Sequence, residues 1–413
     1  MKIRVFFIDE NNSSKQNGIG TFRELLLSRL GSMYEQLEVN LISLNAEVDN
    51  LTIRTTDFGV EYAFPFVGRG NWRELGRIIL PIMKLYVSDG VRNVFVLNHS
   101  PCDEFVCTLK ELFPESKIIF IIHDFGWCEY LYGSTSMLQC VRQGRKPKEL
   151  PEGTMSYVCS YFEKEKAVYG MVDVVVSLSP STTGILKNIY RVRPDKVVEI
   201  PNGCMAQAHR KILKSKARKR LGIPGSAKLM LFIGRPTQYK GIIPLLKAIK
   251  IVRKRYPEIR CALIGSFHIY TDYWTFGKDV AANLICTGRL TPKELDWWYA
   301  AADIGVIPSY SEQCSYVGLE MKRAFLPVVA SDANGLRDMF KDGETAFIAK
   351  IGDVWNPNHY AKSIANAIDR AFQAQPRQKK KMLLNNRQHL LGRFSADSMV
   401  GNYFSLFCRL TKE

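Results

Sequence analysis

The chain of 413 residues has no run of about 18 consecutive apolar residues, so no segment of it is expected to cross a bilayer as a helix. Acidic residues are scarce beside basic ones, 40 Asp and Glu against 57 Lys and Arg, and the formal net charge is +17. Such a surface attracts nucleic acid, anionic lipid or phosphorylated substrates. The chain lacks an aromatic-basic stacking module, so nucleic acid is not an expected partner. Glycine and proline (29 and 18) are too few for a low-complexity chain, and no internal repeat is found. Histidine is rare: His99, His123, His209, His268, His359 and His389 form no shared cluster. Asp-x-Asp is missing, and Asp9-Glu10 and Asp103-Glu104 are only adjacent loop pairs, so no metal site is expected. Ten cysteines are present, but Cys102 and Cys107 lack zinc-site spacing, and Cys107, Cys159, Cys261 and Cys286 lie in apolar segments. The chain opens as a strand (MKIRVFFI) rather than a signal peptide. Reduced thiols in a cytosolic protein are the expectation.

What is present is a rhythm. Short apolar runs at Ile3–Ile8, Asn93–Asn98, Lys117–Ile122 and Val172–Leu178 are each trailed by a loop or helix. After a basic stretch the series restarts at Lys228–Ile233, Arg260–Ile264, Asn283–Cys286, Ile304–Ile307 and Pro327–Ala330. Continuous Val/Ile/Leu strands separated by helices indicate parallel sheets covered on both faces. The fold class is α/β, with two doubly wound domains: 1–205, a basic linker over 206–227, 228–380, and a terminal helical region over 381–413 that packs back on the first domain. Lys211–Arg220 (KILKSKARKR) reads as a solvated helix face or interdomain linker. Arg69–Val87 has the spacing of a core-facing amphipathic helix kinked at Pro81, the alternative being a membrane surface.

Chemistry concentrates where strands end. Pro308-Ser-Tyr-Ser-Glu312-Gln-Cys-Ser-Tyr-Val-Gly-Leu-Glu320 joins a strand to a helix. Its two glutamates, acceptor-only when ionised, suit paired hydroxyls, and the helix start between them suits an anion. Gly234-Arg235-Pro-Thr-Gln-Tyr-Lys240-Gly241 follows another strand and carries two cations, a fork and a point charge, for a diphosphate. Asn17-Gly18-Ile-Gly20-Thr21 permits close backbone approach at a helix start, but without the third glycine of the dinucleotide fingerprint. His123-Asp124 closes the apolar strand KIIFII and suits a substrate hydroxyl or a proton transfer. Together these residues point to a nucleotide-sugar site.

The ordered set His123-Asp124, Pro201-Asn202-Gly203, Gly234-Arg235 with Lys240-Gly241, and Glu312 to Glu320 followed by Pro327-Val-Val-Ala-Ser-Asp resembles the retaining glycosyltransferases of family four. The resemblance covers nearly the whole length. It implies the GT-B architecture, two Rossmann-like domains facing across a central cleft. It implies that Glu312 binds donor sugar hydroxyls, Glu320 the ribose, and Arg235 and Lys240 the leaving diphosphate. The backbone of Cys314, Ser315, Tyr316 and Val317 would touch phosphate and sugar. Gly18 and Gly20 would let the first domain close over the donor. His123 would sit near the reacting carbon, with Asp124 and Asn202 toward the acceptor. No cofactor or divalent metal is implied, and the UDP- or GDP-sugar is a substrate. The chain departs from the family at Gln313-Cys-Ser-Tyr316, where most members read Gly-Phe-Gly, and at Leu326, where a glycine usually stands; the Gln313 and Tyr316 side chains are expected to fill space near the sugar.

The expected activity is transfer of a sugar to a glycan, lipid-linked or peptide hydroxyl, in the cytoplasm, with a peripheral contact on an anionic membrane open to the basic surface. Epimerisation, phosphorolysis, or nucleotide-sugar binding without turnover are the alternatives on the same frame.

Overall fold

The computed structural model describes residues 2–10, 18–66, 72–98, 102–147, 149–206, 212–266 and 275–412. Asn17, Arg69, His99, His209, His268 and Lys211 lie outside them. Contacts divide the chain into two units, Met1–Gly203 with Ala396–Glu413, and Cys204–Ser395.

Unit 1 holds β1 (Ile3–Glu10), β2 (Leu37–Ala46), β3 (Thr52–Thr55), β4 (Gly59–Pro65), β5 (Asn93–Leu97), β6 (Lys117–Ile121), β7 (Val174–Ser177) and β8 (Val197–Glu199). Their order in the sheet is β3-β4-β2-β1-β5-β6-β7-β8, parallel except for the β3–β4 pair. The central strands are buried along nearly their whole length, which is why they read as unbroken apolar runs. β2 escapes that reading because Asn40, Ser43 and Asn45 interrupt it. All three are buried, and Ser43 and Asn45 are matched by Glu61 (2.6 Å) and Glu10 (2.8 Å). Helix α1 (Gly18–Met33) buries Phe22, Leu26, Leu27 and Leu30, a helical spacing, and Arg23 pairs with Asp9 at 2.7 Å, both buried. That pair pins the start of α1 beside the carboxyl end of β1. Helix α2 (Trp72–Tyr86) turns Leu75, Ile79, Leu80 and Met83 inward, as the core-facing alternative requires, and contains Pro81. Helix α3 (Thr154–Met171) contributes Phe162 and Glu165 to the interior.

Unit 2 holds β9 (Lys228–Ile233), β10 (Ile259–Ile264), β11 (Leu284–Gly288), β12 (Ile304–Ile307), β13 (Val328–Ser331) and β14 (Phe347–Ala349), all parallel, in the order β11-β10-β9-β12-β13-β14. Its helices include α4 (Lys214–Leu221), α5 (Ile242–Val252), α6 (Pro292–Ala301), α7 (Tyr316–Arg323), α8 (Pro357–Gln373) and α9 (Pro376–Leu391). The terminal helix α10 (Ala396–Leu410) belongs to unit 1, where Tyr34 and Phe404 stack at 3.9 Å and Arg29 pairs with Asp397.

Two boundaries therefore shift from the sequence expectation. Residues 214–221 are no linker but a helix docked on unit 2. Arg218 reaches Asp303 at 2.8 Å and the carbonyls of Ala301 and Gly225, and Lys214 reaches Asp303 at 2.6 Å. A basic run looks solvated in sequence, whereas here part of its charge is used against a carboxylate 85 residues away. Likewise α9 stays with unit 2, where Asn386 donates to the Thr345 carbonyl at 2.8 Å from a buried position, and only Ala396–Glu413 joins unit 1.

All ten cysteines are free thiols; Cys261 is buried, but Cys107 and Cys286 are exposed despite their apolar flanks. Among the described residues no helix is long and apolar enough to cross a membrane.

Candidate active site

Ligands of parallel α/β sheets bind beyond the carboxyl ends of the strands. In unit 2 the loop after β9 carries Arg235 and Lys240, and the loop after β12 carries Ser309 and Glu312. Backbone geometry presses the two loops together. The Tyr310 N–H donates to the Tyr239 carbonyl at 2.9 Å. Gly241 has φ +75°, and a Cβ there would lie 2.0 Å from the Pro308 carbonyl oxygen. Only glycine fits on both counts. Gly241→Ala is expected to destabilise the protein by more than about 1 kcal/mol, read as a fall in the denaturation midpoint, because strain and clash act together.

The close approach sets Lys240 Nζ 2.7 Å from Glu312 Oε1, which also accepts from Ser309 Oγ at 2.8 Å. Lys240 and Glu312, expected to serve diphosphate and sugar separately, thus form one partly exposed ion pair. Arg235 stands exposed on the same loop and makes no ion pair among the described residues. On the far side of Glu312, its N–H donates to the Asn334 carbonyl at 3.1 Å, and a Cβ on Gly335 would sit 2.2 Å from the Glu312 carbonyl.

Helix α7 then begins. Ser315 caps it, its hydroxyl accepting from the Gly318 N–H at 3.3 Å. Cys314, Ser315 and Tyr316 are buried and Val317 half-buried, so backbone rather than side chain is what this turn offers a ligand. Gln313 is only 4% exposed as well. Gln313 and Tyr316, expected to fill space near the sugar, are both buried side chains. Glu320, one turn on, accepts from the Tyr299 hydroxyl at 2.7 Å. Burial first, then the neighbouring Glu320 carboxylate, pushes the Tyr299 phenol well above its ordinary range, so Tyr299 remains a donor.

In unit 1 a cavity of about 200 Å³ is lined by Ile19, Asn98, His123, Asp124, Gly126 and Glu129. It gathers the glycine turn, through Ile19 between Gly18 and Gly20, and the His123-Asp124 pair. His123 Nε2 lies 2.6 Å from Asn98 Oδ1, and the Phe22 ring meets the imidazole edge-on at 5.0 Å. Asp124 is exposed and accepts from the Phe125 N–H at 2.9 Å. Asn202 is not in this lining; it is buried at the turn where Gly203 N–H meets Met399 Sδ.

Behind the histidine loop sits a buried network that the sequence did not reveal. Glu165 accepts from the Gly126 N–H at 2.7 Å and from the Tyr190 hydroxyl, which itself accepts from Trp127 Nε1 at 2.9 Å. Burial pushes the Glu165 carboxyl up to about 7, against the two donors that favour its charged form. The folded state then holds a proton that the unfolded chain releases above its ordinary 4.5, so this contribution to stability is present below pH 4.5 and is lost as pH rises toward 7. Glu165→Gln is expected to flatten the melting temperature across that window, and an unchanged slope would assign the dependence to other groups.

Tyr299, Ser309, Asn98 and Glu165 were not singled out in the sequence. Ser309 and Asn98 had a signal, a polar residue just past the carboxyl end of an apolar strand; Tyr299 and Glu165, in helix interiors, had none. Among the described residues no three His, Cys, Asp or Glu side chains come together as a metal-binding group.

Comparison with known proteins fits this geometry. Residues 214–389 match the family model of the glycosyl transferases group 1. A D-inositol 3-phosphate glycosyltransferase of Thermobispora bispora is 31% identical over 216 residues, 50% of this chain and 50% of the relative. The chain spans about half the length of the curated relatives it matches. Sucrose-phosphate synthase from Thermosynechococcus elongatus superposes with a TM-score of 0.77 at 18% identity, over 99% of both chains. The Anabaena protein HepE, solved in complex with UDP-glucose, does so with a TM-score of 0.68 at 14% identity, over 98% of this chain and 99% of its own. The two parallel-sheet units thus have the GT-B fold, and residues 214–389 are similar to the glycosyl transferases of group 1.

Proposed function

We propose that the chain is a retaining glycosyltransferase. It moves a sugar from a UDP- or GDP-linked donor to a hydroxyl of a glycan, lipid-linked or peptide acceptor, with neither a divalent metal nor a resident cofactor. The observation that carries this reading is the 2.7 Å Lys240–Glu312 pair at the carboxyl ends of β9 and β12, with Arg235 exposed on the same loop. As the bond between the sugar carbon and the diphosphate breaks, negative charge grows on the departing oxygen, and Arg235 and Lys240 stabilise it. Glu312 accepts from sugar hydroxyls, Glu320 from the ribose while Tyr299 holds it, and the backbone of 314–317 meets phosphate. The acceptor hydroxyl attacks the face that the diphosphate leaves, so configuration is kept. In unit 1 the cavity around His123 and Asn98 serves hydroxyl groups.

A relative named for an inositol phosphate and a fold neighbour solved with UDP-glucose support a nucleotide-sugar donor and a hydroxyl acceptor. The net charge of +17 suits a phosphorylated or lipid-linked acceptor and a cytoplasmic site of action at an anionic membrane surface.

The test is a melting-temperature panel of nucleoside diphosphates and their sugars, since a ligand at a hundred times its Kd stabilises by about 2.7 kcal/mol. The donor so found is then given to acceptors with a chelator present, and the product's anomeric configuration is read by NMR. No stabilising nucleotide, loss of transfer on chelation, or an inverted product each removes the corresponding part of the proposal.

A further inference from the structure

A second cavity of unit 2, about 400 Å³, lies at the amino ends of the strands whose carboxyl ends carry Lys240 and Glu312. Lys228 opens β9, and Asp303 and Pro327 immediately precede β12 and β13. Three lysines line it, Lys214, Lys228 and Lys379, against the one carboxylate of Asp303. That carboxylate is already engaged by Lys214 (2.6 Å), Arg218 (2.8 Å) and the Leu229 N–H (2.7 Å). Lys228 and Lys379 pair with no carboxylate among the described residues. Lys379 donates to the Phe372 carbonyl at 3.3 Å, and the Lys228 ammonium stands 5.8 Å from the centre of the Phe372 ring. Desolvation first, then the charges of Lys228 and Lys214, lowers the Lys379 ammonium from its ordinary range. An anion between these groups would relieve that repulsion. Phe325, Phe372 and Leu383 make the rest of the wall apolar, and the volume falls in the range of small-molecule sites, about 300–1,000 Å³.

The cavity also touches the candidate donor site. Tyr299 lines it and donates to Glu320. The carboxyl end of α7, whose amino end holds 314–317, runs into its rim at Ala324 and Phe325, where Phe325 takes the left-handed φ of +52°.

We propose that this cavity binds a small phosphomonoester on Lys228 and Lys379, and that occupancy changes nucleotide affinity at the far end of α7 through Tyr299. The first half stands by itself; the second rests on the role proposed for Glu320. Phenyl phosphate supplies both the dianion and an apolar body, and is titrated calorimetrically into the full chain. Binding is expected to be saturable, weakened by about tenfold or more in Lys228→Glu/Lys379→Glu, and retained in Arg235→Ala/Lys240→Ala. The Lys228→Ala/Lys379→Ala pair gives the same readout should the glutamates impair folding. Loss of the titration in the Arg235/Lys240 pair with retention in the Lys228/Lys379 pair would place the phosphate elsewhere and overturn the site. Binding to phosphatidic acid vesicles but not to phenyl phosphate would overturn the small-molecule assignment. For the coupling, saturating phenyl phosphate is expected to shift UDP affinity by about fivefold or more, and Tyr299→Phe to abolish the shift while keeping phenyl phosphate binding. An unshifted UDP affinity overturns the coupling. Absence of any UDP binding counts against the donor reading alone, because the phenyl phosphate titration still reports on the cavity.

Discussion

Replacing Lys240 by alanine is expected to slow sugar transfer by about 10²–10³-fold while weakening nucleotide binding far less, the pattern for a group that acts most strongly as leaving-group charge develops. The expectation follows from what Lys240 does at rest. Its ammonium sits 2.7 Å from Glu312 Oε1, in a pair of which neither side chain is fully solvent-exposed. On the proposed reading, a diphosphate arriving beside Arg235 would compete with Glu312 for that ammonium, and the carboxylate, which also accepts from Ser309 at 2.8 Å, would turn to sugar hydroxyls. One cation would then serve two anions in succession. Two consequences separate this from a merely structural pair. Lys240→Arg keeps the charge but changes its shape, so it should restore binding more fully than rate. In addition, Glu312→Ala combined with Lys240→Ala should cost less than the sum of the single changes, because either change alone strands its partner. Steady-state kinetics with the donor found in the nucleotide panel measures both. Additive losses, or a Lys240→Ala enzyme as fast as the parent, would show that the pair has no part in the chemistry.

The strands that frame this pair were legible because they are covered on both faces. KLMLFI and IGVI admit almost no polar residue when helices lie above and below the sheet. Leu37–Ala46 was not legible, since its buried Asn40, Ser43 and Asn45 look like surface residues until Glu61 and Glu10 are seen opposite Ser43 and Asn45. The same limit shaped the domain borders: the positive run at 214–221 reads as solvated, and only the fold reveals Asp303 beneath Arg218 and Lys214. At the site, residue types were legible but partnerships were not. Lys240 and Glu312 are 72 positions apart, and Tyr299 and Glu320 meet across two helices. Burial was not legible between the glutamates either: Gln313 and Tyr316, read as filling space near the sugar, are 4% and 9% exposed.

Replacing His123 by alanine should lower transfer by about 10²–10⁴-fold, the range of a positioned proton-transfer or hydroxyl-binding group, without changing nucleotide affinity. The two readouts separate because the diphosphate and ribose residues argued above all lie in unit 2, whereas His123 belongs to unit 1. The imidazole is held rather than free. Asn98 Oδ1 lies 2.6 Å from Nε2, and the edge-on Phe22 ring at 5.0 Å limits rotation. As Asn98 Oδ1 can only accept, Nε2 carries the hydrogen in this contact. Asn98→Ala removes the anchor but keeps the imidazole, so its loss should be smaller than that of His123→Ala and smaller still in a variant that already lacks His123. Asn98→Asp offers a stricter check. It retains an acceptor for Nε2–H, so it should keep more of the transfer rate than Asn98→Ala does. A His123→Ala enzyme that turns over normally would remove unit 1 from the chemistry. A parallel loss of nucleotide affinity would instead mean that His123 supports donor binding rather than transfer.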